Sequence, residues 1–234
     1  MTFRPAQFPN NPSSRIQRDE RGRWVLPPPA QVGRPASPQR AQVDGVTETI
    51  YLVSAFVAAD QRLPIIELLT ESERLSPVVL LRLAALFHPD AARRERFEQM
   101  ADHRSDRCPS WVEHFGEAAV TEVTEMPSTE HRHLAIGLTG QGGLHLTVVT
   151  VIDPDGRALL EADVCAGDPL VALERRTCAE HGETLRSLPL NTAARLLERS
   201  ITSPSVPEGE HPFVQPESLR PLLWFVMRRL LAHT

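Results

Sequence analysis

Residues Leu134–Val164 read LAIGLTGQGGLHLTVVTVIDPDGRALLEADV. Leu134, Ile136 and Leu138 alternate, which is the period of a strand. Leu144–Val151 is apolar on both sides: Leu144, Leu146 and Val148 on one, Val149 and Val151 on the other. A strand of that kind is central in its sheet and covered twice. Ala158, Leu160, Ala162 and Val164 then alternate with Glu161 and Asp163, which predicts a half-buried edge strand with its two carboxylates toward solvent.

The joints between these strands are short. Gly142-Gly143 supplies residues that tolerate positive φ, as a hairpin turn requires. Asp153-Pro154-Asp155-Gly156 has Pro second and Gly fourth, the preference of a type I turn. Such turns force antiparallel neighbours, so the stretch predicts a β-meander. Residues 118–126 (AAVTEVTEM) are a fourth strand or a connector, because Val120, Val123 and Met126 do not alternate.

Outward from the meander the period changes. Residues 46–117 read as a helical subdomain. A helix near Thr47–Ala59 is apolar nearly all round, and residues 65–69 suggest a short helix. Ser76-Pro77 starts a third helix, which ends at His88-Pro89. Phe97, Met100 and Ala101 mark a fourth, and Pro109 opens a last turn that buries Trp111, Val112 and Phe115. After the meander, Asp168-Pro169 starts a helix that runs to His181. Asn191 caps another, residues 203–216 form a loop, and a final helix spans about Leu219–Ala232. Pro221 must lie in its first turn or kink it. Residues 118–234 are thus an α+β subdomain. The predicted class is α+β: an N-terminal helical bundle plus a three- to four-stranded antiparallel β-meander packed with C-terminal helices.

Residues 1–45 form a Pro/Arg-rich tail. Eight of the 21 Pro lie there, few large apolar residues do, and the expectation is disorder. Seven Arg against Asp19, Glu20 and Asp44 leave the tail at +4 and residues 46–234 at −9. Trp24 beside Pro27, Pro28 and Pro29 reads as a docking peptide in polyproline II form.

The net charge of −5 argues against nucleic acid and anionic membrane as partners. The basic residues are all Arg, which points to a GC-rich genome. Three scattered Cys fit a reducing cytoplasm. The N-terminus lacks the apolar segment of a secretory signal, and no apolar run approaches a membrane span.

Several short motifs invite chemistry. Thr139–Gly143 leads into a strand and no Lys exists in the chain, so a phosphate-binding loop is excluded. His88-Pro89-Asp90 resembles the tripeptide of J-domain co-chaperones, with Phe97 in the following helix. The preceding helix carries only Arg82 where those proteins carry a strongly basic one, and helix initiation accounts for all three residues. Asp153-x-Asp155-Gly156 lacks the later ligands of a calcium loop.

His131 and His133 share a strand face. A three-residue turn would put His145 on that face as a zinc-type set, and a two-residue turn would put it opposite. Cys165, Cys178 and His181 form a second thiol–imidazole group, and Cys108 with His103 and His114 a third. None matches a ligand spacing, so the expectation is no metal and no cofactor.

No known family is identified. The leading expectation is a cytoplasmic, non-catalytic interaction or adaptor module with an unidentified protein partner. The alternatives are a small enzyme with a site between the two halves and a regulator using the helical half.

Overall fold

The computed structural model describes residues 17–18, 24–25, 38–60, 76–127, 131–166, 185–203 and 216–232. The chain divides into two compact units, Met1–Gln42 and Val43–Thr234. In the first, β1 (Gln17–Arg18) and β2 (Trp24–Val25) pair antiparallel, with Arg18 opposite Trp24.

A long helix, α1 (Pro38–Asp60), starts well before Thr47, the start expected from its apolar residues. Of the apolar residues that mark the helix in sequence, Ile50, Val53 and Val57 are fully buried. Helix α2 (Pro77–Phe87) has Pro at its first position, as the sequence implied, and buries eight of its eleven residues. Residues before proline favour extended backbone, and His88, preceding Pro89, ends the helix at φ −63°, ψ 133°. The exposed Asp90 then caps α3 (Ala91–Asp102) by accepting the Arg93 N–H at 2.9 Å. A short helix α4 (Ser110–Glu113) and a 3-10 turn at Phe115–Glu117 lead into the sheet.

The sheet has five strands in the order β6-β5-β4-β3-β7, every pair antiparallel. They are β3 (Ala119–Pro127), β4 (Arg132–Gly140), β5 (Leu144–Ile152), β6 (Leu159–Ala166) and β7 (Arg186–Ser187). The first four form the meander, so the stretch left open at 118–126 is a strand, Ala119–Pro127. A bulge between Val120 and Glu122 puts Val120 opposite Leu138 and Val123 opposite Ile136, on the same face. That extra residue is why the apolar positions of β3 do not alternate in sequence.

Both turns follow their glycines. Gly142 and Gly143 have φ of 73° and 76° in the three-residue turn Gln141–Gly143. Gly156 has φ 73°, and its N–H donates to the Asp153 carbonyl at 2.9 Å.

β5 lies inside the sheet with both faces buried. On one side Leu134, Ile136, Leu146 and Val148 are inaccessible or nearly so; on the other Ala135, Thr147 and Val149 are buried.

Helices α5 (Leu190–Thr202) and α6 (Pro216–Ala232) follow the sheet. Asn191 lies inside α5 and does not cap it; Pro189 holds that position with no side-chain bond. Phe225 of α6 meets Phe87 and Phe115 at centroid distances of 5.9 and 5.2 Å, one aromatic cluster joining α2, the 3-10 turn and α6. Pro221 falls in the second turn of α6, past the first turn where proline is tolerated. At the next residue the Leu222 N–H donates at 3.3 Å to Oγ of the fully buried Ser54 on α1. The expected helices at 65–69 and from Asp168-Pro169 lie outside the described residues. No described helix is long and apolar enough to cross a membrane.

Candidate functional site

The histidine set does not assemble. With a three-residue turn, His145 does share the face of His133, but it stands opposite Thr139 while His133 stands opposite Val151. Six residues of strand separate them, roughly 20 Å. Only His131 and His133 are neighbours, with ring centroids 6.1 Å apart. Cys165 lies on β6 opposite Thr147, and Cys178 and His181 fall outside the described residues. His103 Nδ1 lies 2.6 Å from its own helix carbonyl at Gln99, and His114 Nδ1 is 3.4 Å from Glu117. Among the described residues no three His, Cys, Asp or Glu cluster for a metal. Trp24 pairs within the β1–β2 ribbon, and Pro27, Pro28 and Pro29 lie outside the described residues.

His88-Pro89-Asp90 is a helix start. His88 is buried and its Nδ1 accepts the Asp90 N–H at 3.0 Å. The Arg93 N–H holds the Asp90 carboxyl below its usual range.

The two predicted solvent carboxylates of β6, Glu161 and Asp163, are both half-buried. Asp163 is not on an open face: Tyr51 reaches it from α1, and its hydroxyl donates to Asp163 Oδ1. The same hydroxyl accepts the Val164 N–H at 3.2 Å. The helix therefore covers a strand that alternation alone assigned to a bare edge. Burial pushes the Asp163 carboxyl above its usual range, against the lowering effect of the Tyr51 and Val164 hydrogen bonds.

A second charged group was not legible in sequence at all. Glu125 of β3 is fully buried, on the same face as Leu134. Arg132 donates to its Oε1 at 2.7 Å and Arg186 to its Oε2 at 2.7 Å. Burial would raise its pKa; the hydrogen bonds and charges of the two guanidiniums overcome that and hold it below the usual range. β7 is only two residues long, and this pair fastens it to the sheet.

An open feature lies elsewhere. A cleft of about 850 Å³ is framed by α2, the end of α3, the following loop and α4. Its rim carries Arg82, Arg104 and Arg107 with Asp102, Asp106 and Glu113. Arg82 and Asp102 pair at 2.7 Å, a solvent-exposed bridge of small net value. Among the described residues the side chains of Arg104, Arg107, Asp106 and Glu113 have no hydrogen-bond or ion-pair partner. Cys108 lies in the wall; burial, then the charge of Glu113, push its thiol up, away from the reactive thiolate. Sequence reasoning noticed Cys108 for its histidines and missed the cleft, which forms only where Arg82 of α2 stands against the stretch from Ala101 to Glu113.

No family model, curated protein or solved structure matches the chain.

Proposed function

We propose that the chain is a cytoplasmic protein-interaction module, and that the α2–α4 cleft is where a partner docks. One observation carries this reading. Four rim side chains of both signs, Arg104, Arg107, Asp106 and Glu113, stand unpaired around an open cleft on a packed helical frame. Charges of mixed sign at a rim set partner choice and orientation more than raw affinity. The volume suits a short charged segment of another protein, and the rigid walls lower the entropy cost of receiving it. A Cys108 thiol raised by burial fits a wall better than a nucleophile. The tail residues Trp24, Pro27, Pro28 and Pro29 are a second candidate contact, resting on composition alone.

The test is a comparison within the native host. The wild-type chain and an R104E/R107E double variant are each cross-linked in cells, and the captured proteins are identified by mass spectrometry. Circular dichroism first establishes that both baits are equally folded. The expected result is a partner held by wild type and lost at least tenfold by the variant, with cross-links mapping to residues 102–113. Identical partners and cross-links from both baits would remove the cleft from the proposal.

A further inference from the structure

Away from the cleft, two guanidiniums from different helices end on one turn. Arg228 of α6 donates to the Leu86 carbonyl. Arg94 of α3 donates through Nη1 to the carbonyls of His88 and Pro89, at 3.1 and 2.8 Å. Both side chains are part-buried. Leu86–Pro89 is the C-terminal end of α2 and the joint to α3, where backbone carbonyls lack helical partners.

The charges do not balance. The end of a helix supplies roughly half a negative charge, and two full positive charges meet it here. Among the described residues no carboxylate pairs with either guanidinium. Burial, then the neighbouring charge of Arg94, push the Arg228 guanidinium down to about 10, the mark of a cation that is partly desolvated and faces another cation. Buried charge left uncompensated is costly. Each guanidinium also presents five N–H donors in a flat fork, and one nitrogen of each is engaged with the turn. Forks of this kind match the paired oxygens of a tetrahedral oxyanion.

We propose that Arg94 and Arg228 form a binding site for a small oxyanion of the phosphate class at the α2–α3 joint. The bound anion supplies the negative charge that the protein leaves out, and each guanidinium keeps its bond to the turn while turning its remaining donors to the ligand. The site lies where α3 and α6 both reach the end of α2, so occupancy bridges the two guanidiniums across the joint. It is separate from the cleft and does not rest on the docking proposal.

The experiment is calorimetric titration of the full chain with inorganic phosphate, with chloride replacing phosphate so that ionic strength stays constant. Wild type should bind one phosphate saturably. R94Q should weaken binding at least tenfold, and R96Q, which removes an exposed charge from the same helix, should leave it within twofold. R228Q should behave as R94Q does; if it fails to fold, R94Q against R96Q decides the matter alone. Absence of saturable phosphate binding by wild type overturns the proposal. So does equal weakening by R94Q and R96Q, which would mean general attraction to positive charge.

Discussion

Glu125 and Arg186 face each other across the β3–β7 pair, with Arg186 Nε 2.7 Å from Glu125 Oε2. The carboxylate is wholly buried while the arginine side chain is more than half exposed. The interaction is therefore asymmetric: removing the acid frees a cation that can rehydrate, and removing Arg186 leaves the acid to Arg132.

Glu125→Gln should accordingly destabilise the protein by about 2 kcal/mol, below the roughly 3–5 kcal/mol typical of stranding a fully buried charge. Urea midpoints at neutral pH measure this. The sign with pH follows from the depressed folded pKa of Glu125. Its contribution is fully present above the ordinary glutamate value, about 4.3, and is lost as pH falls through the lower folded value. The difference between wild type and Glu125→Gln should shrink below pH 4. A constant difference from pH 7 to pH 3 would mean that the ion pairs are not its source.

Tyr51 and Asp163 give the opposite sign. Asp163 has a raised folded pKa, so its ionised form is the less favoured one in the folded protein. Its unfavourable contribution is present above the folded value and fades as pH falls toward the unfolded value. Tyr51→Phe removes the hydroxyl that bonds both Asp163 and the Val164 N–H, and should cost about 1.5–3 kcal/mol at pH 7. Asp163→Asn keeps an acceptor for Tyr51 without the charge and should be neutral or slightly stabilising at that pH. Thermal midpoints of the two variants at pH 7 and pH 4.5 check the pair. Equal destabilisation by both would show that the carboxylate charge itself is needed.

The centre of the sheet can be probed from each side. Leu146 and Val149 are both buried and point to opposite faces of β5. Leu146→Asp or Val149→Asp each buries a carboxylate without a partner, at a cost of several kcal/mol against the roughly 5–15 kcal/mol stability of a domain. Both variants should be insoluble or lose near-ultraviolet circular dichroism. Glu161→Ala on β6 should move the urea midpoint by no more than about 0.5 kcal/mol in stability. A soluble, cooperatively folding Val149→Asp would show that its face is only loosely covered.

What could be read in the sequence followed from local rules. Of the three strands from Leu134 onward, the outer two announce themselves by alternation and the middle one by apolar residues on both faces, and their turns by Gly142, Gly143 and Gly156, which do adopt positive φ. β3 was ambiguous because its bulge at Thr121 shifts the phase between Val120 and Val123. β7 has two residues, too few to show a period, and exists because Leu188, Ser187 and Arg186 bond to β3. The charged groups were least legible. Glu125 occupies a core face because arginines seven and sixty-one residues away reach it. Asp163 leaves solvent because Tyr51 arrives from a helix 112 residues earlier. The cleft and the Arg94–Arg228 pair are likewise products of tertiary placement, which no spacing along the chain encodes.

The bond between Leu222 and Ser54 spans 168 residues. During synthesis the chain emerges from its N-terminus, so α1 is available long before α6. Until α6 arrives, Ser54 Oγ lacks the Leu222 N–H that it accepts in the folded unit. Contacts of such long sequence separation slow folding and lengthen the time that apolar surface stays open to aggregation. A nascent chain of this protein thus carries α1 out of the ribosome well before the seventeen-residue α6 that closes this bond.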